Sequence, residues 1–236
     1  MAKPNYILIT CEHGGNRIPA RYRHLFAGRE ALLQTHRGFD PGALILAKEL
    51  AKALRGALFV STTSRLLIEL NRSLGHPRLF SDATRGAPAT LRREILEKHY
   101  LPYRNQVEAA IAAAIARGRR VVHISSHSFT PELDGCVRNA DIGLLYDPAR
   151  HGEAALCRRW QAQLKALTPE LKVRRNYPYT GKSDGFTAYL RRRFSAAVYL
   201  GIELEMNQKH ALIGDQRWRG LCGQVIEALR QAIVVN

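Results

Sequence analysis

The chain has 236 residues, 46% of them hydrophobic, which is enough for one large α/β domain with a full core. No apolar run is long enough to span a bilayer. The net charge of +16 admits an anionic partner. However, the arginines are scattered through helix ends and turns, no basic tail or RNA-binding motif is present, and aromatics are only 8%, so a solvated basic surface is favoured over nucleic-acid binding.

The segment 6–11 reads as a first strand and runs into Glu12-His-Gly-Gly-Asn-Arg-Ile-Pro. Two glycines there permit a tight turn and close backbone approach, with His13 at the strand mouth. Asp40-Pro41 precedes a helix over 43–54, the layout of an N-cap followed by proline at the first helical position. Segment 57–60 reads as a short strand. Segment 64–73 (Ser-Arg-Leu-Leu-Ile-Glu-Leu-Asn-Arg-Ser) reads as another, with Arg65 entering and Asn71-Arg72 leaving it. An Asn-Arg pair suits a carboxylate, because a planar guanidinium holds it through two hydrogen bonds and the amide adds a third.

A long helical pattern covers 91–117, with Pro102 expected to kink or divide it. Segment 121–129 (Val-Val-His-Ile-Ser-Ser-His-Ser-Phe) reads as a buried strand that ends in a polar cluster around His127. Strand 141–146, helix 153–167 and a short strand 171–174 follow. The loop 176–185 is rich in Gly, Pro, Asn and Tyr and suits a pocket cover. A last strand over 196–207 carries Glu203 directly after an apolar run, and a helix over 216–233 closes the chain. The four cysteines are widely spaced with no Cys-x-x-Cys pair, and the N-terminus lacks the apolar core of a signal peptide, so free thiols and a cytoplasmic location are expected.

In open α/β sheets ligands bind at the strand mouths. His13, His127 and Glu203 would all stand there. Each histidine has an ordinary alternative, as a turn or loop histidine. Five segments taken together are more specific: Cys11-Glu-His-Gly-Gly-Asn-Arg-Ile-Pro19, Phe39-Asp-Pro-Gly-Ala43, Ser64-Arg-Leu through Asn71-Arg72, His127-Ser-Phe-Thr-Pro131 and Ile202-Glu203. In order and spacing they resemble the N-formylglutamate amidohydrolase family, which is similar, more distantly, to the zinc carboxypeptidases and aspartoacylase.

The resemblance runs from about residue 6 to residue 207. It implies a single α/β domain over 1–236, zinc carboxypeptidase-like, with a central mostly parallel or mixed sheet flanked by helices. It implies a zinc-dependent amidohydrolase acting on an anionic small molecule, an acylated amino acid or short peptide. By the same resemblance His13 and His127 are metal ligands, Asn71 and Arg72 bind the substrate carboxylate, Arg65 polarises the scissile carbonyl, and Glu203 is the general base. Glu205 shares a strand face with Glu203 but lies farther out and is expected to pair with a surface arginine. Where carboxypeptidases have His-x-x-Glu, the fourth residue here is Asn16, a poor zinc ligand. The third ligand is then Asp40 or Glu12; the resemblance prefers Asp40, since Asp40-Pro-Gly-Ala is similar to the family's pattern, and Glu12 adjacent to His13 would tend to point elsewhere if the strand geometry continues. Three alternatives stand beside this reading: a carboxypeptidase-like peptidase, a catalytically inactive binding relative, and a basic nucleic-acid-binding protein.

Overall fold

Strand β1 (Tyr6–Cys11) pairs in parallel with β2 (Ala57–Val60) on one side and with β3 (Val121–Phe129) on the other. The computed structural model describes residues 5–212 and 214–234. Strand β3 pairs in parallel with β8 (Tyr199–Asn207). Strand β6 (Ile142–Leu145) then runs antiparallel to β8, and β7 (Val173–Arg175) runs parallel to β6. The sheet is therefore mixed, six strands in the order β2-β1-β3-β8-β6-β7, with a separate two-residue hairpin of β4 (Glu132–Leu133) and β5 (Cys136–Val137). Helices flank it in a single α/β domain.

Strands β3 and β8 are buried along their whole length, as central strands covered on both faces should be. Alternation then sorts their side chains. One face presents Ile9, Cys11, Val122, Ile124, Ile202, Leu204 and Met206 to helices α2 (Ala43–Leu54), α5 (His151–Leu167) and α8 (Asp215–Val234). Leu46 and Leu50 of α2, one turn apart, are fully buried there. Each such leucine stabilises the fold by about 1.5–3 kcal/mol. The other face presents Leu8, Val121 and Tyr199 to α4 (Leu101–Ala116) and α6 (Phe186–Arg193). By the same period of two, Thr10 and Glu12 near β1, His123, Ser125 and His127 on β3, and Glu203 and Glu205 on β8 belong to this second face. His123 is a core histidine: it lies 2.8 Å from Thr10 Oγ1 and 2.7 Å from Tyr199 Oη. Burial holds it neutral, with its pKa lowered to about 4.

Two sequence expectations differ from the structure. Segment 64–73 is not a strand but a chain of turns, in which Leu67 N–H donates to Ser64 O and Arg72 N–H donates to Glu69 O. Its apolar run is buried in a satellite core of Leu66, Leu67, Ile68 and Leu70 with Tyr22, Phe26, Ile95 and Tyr100. A short apolar run records burial and does not choose between strand and turn. The 91–117 pattern is not broken at Pro102 either. Helix α3 (Ala89–Ile95) continues through a π-helical turn (Leu96–Tyr100) into α4, with αR backbone at Leu96, Tyr100 and Leu101. The wide turn falls where the proline cannot donate, and absorbs it. Two short helices complete the fold, α1 (Glu30–Leu33), whose Leu32 and Leu33 pack against the satellite core, and α7 (Gln208–Ala211), directly after β8.

Candidate metal centre and active site

His13 follows β1 in a turn that lies against the 61–63 segment. A side chain at Gly15 would meet the Thr62 carbonyl oxygen at 2.7 Å, so only glycine lets the two backbones run so close. The His13 carbonyl accepts from Asp40 N–H at 2.9 Å, which brings the segment before α2 to the strand mouth. Asp40 is not the cap of α2. That position is Gly42, in the left-handed region at φ 82°. The Asp40 side chain turns instead into the protein, where it is 4% exposed.

There it stands between two imidazoles. Asp40 Oδ2 is 2.9 Å from His127 Nδ1 and 3.2 Å from His13 Nδ1. The ring centroids of the two histidines are 4.9 Å apart. The three residues proposed from the sequence as ligands thus form one buried group, with one donor atom from each lying within 4.8 Å of the others. The far nitrogen of each ring is also held by a carboxylate. His13 Nε2 meets Glu69 Oε1 in a short contact, and His127 Nε2 lies 3.1 Å from Glu12 Oε2. Ser125 Oγ ties the second pair together, donating to Glu12 at 2.7 Å and lying 2.9 Å from His127 Nε2.

This donor set fits a zinc ion. Two imidazole nitrogens and one carboxylate leave a position open, as in catalytic sites. Metal-bound histidines also characteristically give their second N–H to a carboxylate, which sets tautomer and ring orientation. Glu12 and Glu69 stand in that position. Glu12 thus meets His127 on the far nitrogen of its ring rather than joining Asp40 between the two histidines, and Asn16 is outside the group, donating to Gln34 Oε1 at 2.9 Å.

The electrostatics are those of an anionic pit. Burial alone would raise Asp40, Glu12 and Glu69, but the neighbouring cations outweigh it and hold all three well below the usual carboxylate range. His13 and His127 are opposed by burial yet raised by these same acids. Arg65 closes the charge balance. Its Nη2 is 2.6 Å from Glu69 Oε2, and its Nη1 is 3.2 Å from Asp40 Oδ1. Its side chain is 28% exposed and so reaches the surface from this centre.

Asn71 and Arg72 lie two and three residues beyond Glu69, but both have structural partners. Asn71 Oδ1 accepts from Phe186 N–H at 2.6 Å, at the start of α6. The Arg72 guanidinium donates to the Asp184 carbonyl. Glu203 accepts from Thr187 Oγ1 at 2.6 Å, also at the start of α6. Glu205 departs from its sequence expectation. It is not an outlying surface residue paired with an arginine but is 6% exposed, opposite His127 in the β3–β8 register. Its Oε2 has no hydrogen-bond partner among the described residues. Burial, with Asp40 and Glu203 near, pushes its pKa up to about 8. Tyr179, from the 176–185 loop, stands beside Glu205 and Arg65 and packs against Arg138. That loop does border the site, as its composition suggested.

A family model for N-formylglutamate amidohydrolase matches residues 6–212, nearly the whole chain. The chain belongs to the N-formylglutamate amidohydrolase family. Among solved structures, a gene product of Agrobacterium tumefaciens is similar at 28% identity and a TM-score of 0.83, over 97% of this chain and 90% of that one. The N-formylglutamate amidohydrolase of Ralstonia eutropha JMP134 shares the fold at 19% identity and a TM-score of 0.68, over 98% of this chain and 95% of that one. No curated protein matches the chain by sequence.

For this amidohydrolase-family chain, the motif reading brought His13, Asp40, His127 and Arg65 together correctly as neighbours. It passed over Glu69 and undervalued Glu205. Glu69 had a signal: a lone acid inside the apolar run Leu67-Ile68-Glu69-Leu70, which burial obliges to find partners. Glu205 had the same signal, in Leu204-Glu205-Met206.

Proposed function

We propose that this chain hydrolyses the amide bond of an N-formyl or N-acyl amino acid at a zinc ion held by His13, Asp40 and His127. The observation that carries this reading is Asp40 Oδ2 bridging the Nδ1 atoms of both histidines, with a second carboxylate on each ring's far nitrogen. The chemistry zinc supplies in such a site is Lewis acidity and a water made more acidic, toward a pKa of about 7.

The chain's own residues then divide the work. Glu205 moves the proton. Its buried, unpartnered oxygen beside His127 and a pKa of about 8 suit a group that takes a proton and returns it to the leaving amine near neutral pH. In this reading Glu203, the carboxylate carried over from the family motif, instead holds the start of α6 through Thr187. Arg65 remains cationic between two acids and stabilises negative charge as it develops on the scissile carbonyl oxygen. Asn71 and Arg72 orient the substrate's α-carboxylate, setting the amide at the centre. The four free cysteines support a reducing compartment, the cytoplasm. Among the described residues no helix is long and apolar enough to cross a membrane.

Formate or acid release from N-formyl and N-acyl amino acids, measured with the zinc-loaded protein, tests this function. Turnover of formyl amino acids with a free α-carboxylate, and poor turnover of their amidated counterparts, are the expected results. Release of C-terminal residues from unmodified peptides in their place would overturn it in favour of a peptidase.

A further inference from the structure

Tyr100, Tyr103 and Arg104 are spaced to share one face at the start of α4. Tyr100 closes the π-helical turn before that helix, and such turns are frequent where a helix serves a functional site. Tyr103 Oη donates to Glu12 Oε1 at 3.0 Å. The other two grip the turn that carries Asn71 and Arg72. Arg104 is unusual in its surroundings. It is 4% exposed, and among the described residues no acid lies within ion-pairing distance of it. A buried cation without a counter-ion is costly. Its guanidinium lies instead 4.2 Å from the ring centroid of Phe186, 4.5 Å from that of Tyr189 and 4.9 Å from that of Tyr100. Desolvated cation–π contacts of this kind offset part of the cost.

The Arg104 hydrogen bonds go to backbone. Nη1 donates to Leu70 O at 2.8 Å and to Arg72 O at 3.4 Å. Tyr100 Oη donates to the same Arg72 carbonyl at 2.7 Å. These two carbonyls belong to the peptide planes just before Asn71 and just after Arg72. One side chain therefore fixes both ends of the pair. Two further bonds hold the turn: Asn71 N–H donates to Glu69 Oε1 and Ser73 N–H to Asp184 Oδ2, each at 2.9 Å. Asn71 and Arg72 themselves are only half-buried. An apolar side chain could fill the place of Arg104 with less desolvation, but it could not hold two carbonyls at a set separation. We propose that Arg104 is a positioning residue, which locks the Asn71-Arg72 turn as a seat for the substrate's free carboxylate without touching the substrate. The locked turn stands on the geometry; its effect on substrate rests on the hydrolase reading above.

The test compares the full-length, zinc-loaded wild type with Arg104→Met, Arg104→Lys and Tyr100→Phe. Kinetics are measured on N-formylglutamate and its α-amide, and backbone hydrogen exchange is followed over segment 69–74 and over β3 and β8. Arg104→Met should raise KM for the free acid about tenfold or more with kcat nearly held, because a displaced seat weakens ground state and transition state alike. The α-amide does not use the seat and should change little, so the preference for the free acid falls by the same factor. Exchange over 69–74 should quicken while β3 and β8 keep their protection. Arg104→Lys should recover part of the preference, since it keeps the charge without the fork. Tyr100→Phe removes one hydroxyl from the Arg72 carbonyl and should show the same pattern at about a few-fold. An unchanged free-acid preference in both Arg104→Met and Tyr100→Phe overturns the proposal. So does an equal rise in KM on both substrates with protection lost in β3 and β8, which would mark Arg104 as a core residue only. If Arg104→Met does not fold, Arg104→Lys and Tyr100→Phe decide by the same two readings. If the wild type cleaves neither substrate, the hydrolase reading fails, and the exchange comparison still decides whether Arg104 holds the turn.

Discussion

Asp40 reads in the sequence as a helix cap and stands in the fold as the bridge between two histidines. Its Pro41 neighbour made the cap reading attractive, and only the contact with His13, 27 residues away, shows otherwise. Local sequence carries no record of such long-range pairing, so the family motif was the sole guide to it. Glu12 and Glu69 were beyond even that guide as ring-orienting partners. Glu12→Gln and Glu69→Gln should each weaken metal affinity about 10–100-fold, measured by competition with a chelator, while Asp40→Ala removes a ligand and should lose more. Metal affinity equal to wild type in both glutamine variants would show that the two acids only fill space.

Glu205 supplies a second prediction at this scale. Glu205→Gln should slow turnover by about a hundredfold to ten-thousandfold with metal retained. Glu203→Gln should lose far less. Single-turnover rates decide, and the opposite ranking returns the general base to Glu203. The raised pKa also has a thermodynamic consequence. Between the ordinary value of 4.5 and about 8, the folded chain keeps a proton on Glu205 that the unfolded chain has released. The stability of the chelator-treated protein should therefore fall as pH rises through that window, by on the order of a few kcal/mol at most. His13 and His127, also raised, add a fall in the same direction above 6.5. That contribution is common to the wild type and the variant. The wild type minus Glu205→Gln difference in denaturation free energy against pH isolates the Glu205 slope, and a flat difference refutes the buried protonated carboxyl.

At the scale of elements, the register of β3 on β8 brings the chemistry to one face. His127 lies opposite Glu205, and Ser125 lies opposite Glu203. The central strands β3 and β8 were readable because both faces are covered, and β1, β2, β3 and β8 fall close to where the sequence put them. The turn segment 64–73 was not readable as such. Four buried apolar side chains look alike in a strand and in a turn chain over a satellite core. Strand β6 adds a constraint through Gly143, which faces Glu205 across the antiparallel pair. A methyl there would lie 2.1 Å from the Tyr177 carbonyl oxygen and 3.2 Å from Glu205 Cβ. Gly143→Ala should push the 176–185 loop outward and cost about 1–3 kcal/mol, as overpacking does. Chemical denaturation measures the cost. A variant as stable and active as wild type would mean that the loop yields freely and does not shape the site.

For the whole molecule, the net charge of +16 finds a local expression in a cavity of about 460 Å³ beside the centre, where Arg37, Arg65, Arg78 and Arg85 stand with only two acids, Glu69 and Asp82. A basic surface of this kind draws small anions, and its reach shortens with salt to about 8 Å at physiological ionic strength. The KM for an anionic formyl amino acid should accordingly rise with salt while kcat changes little; a salt-independent KM would leave the charge without a part in substrate capture. In the proposed reaction, one buried His-Asp-His group at the sheet mouth binds the metal that drives amide hydrolysis. Metal content by elemental analysis, set beside hydrolysis of N-formylglutamate, tests it most directly in the wild type and in Asp40→Ala. The expected result is about one zinc per wild-type chain with turnover that chelation abolishes and zinc restores, and neither metal nor turnover in Asp40→Ala. Full metal occupancy in Asp40→Ala, or undiminished turnover by the metal-free wild type, would contradict it.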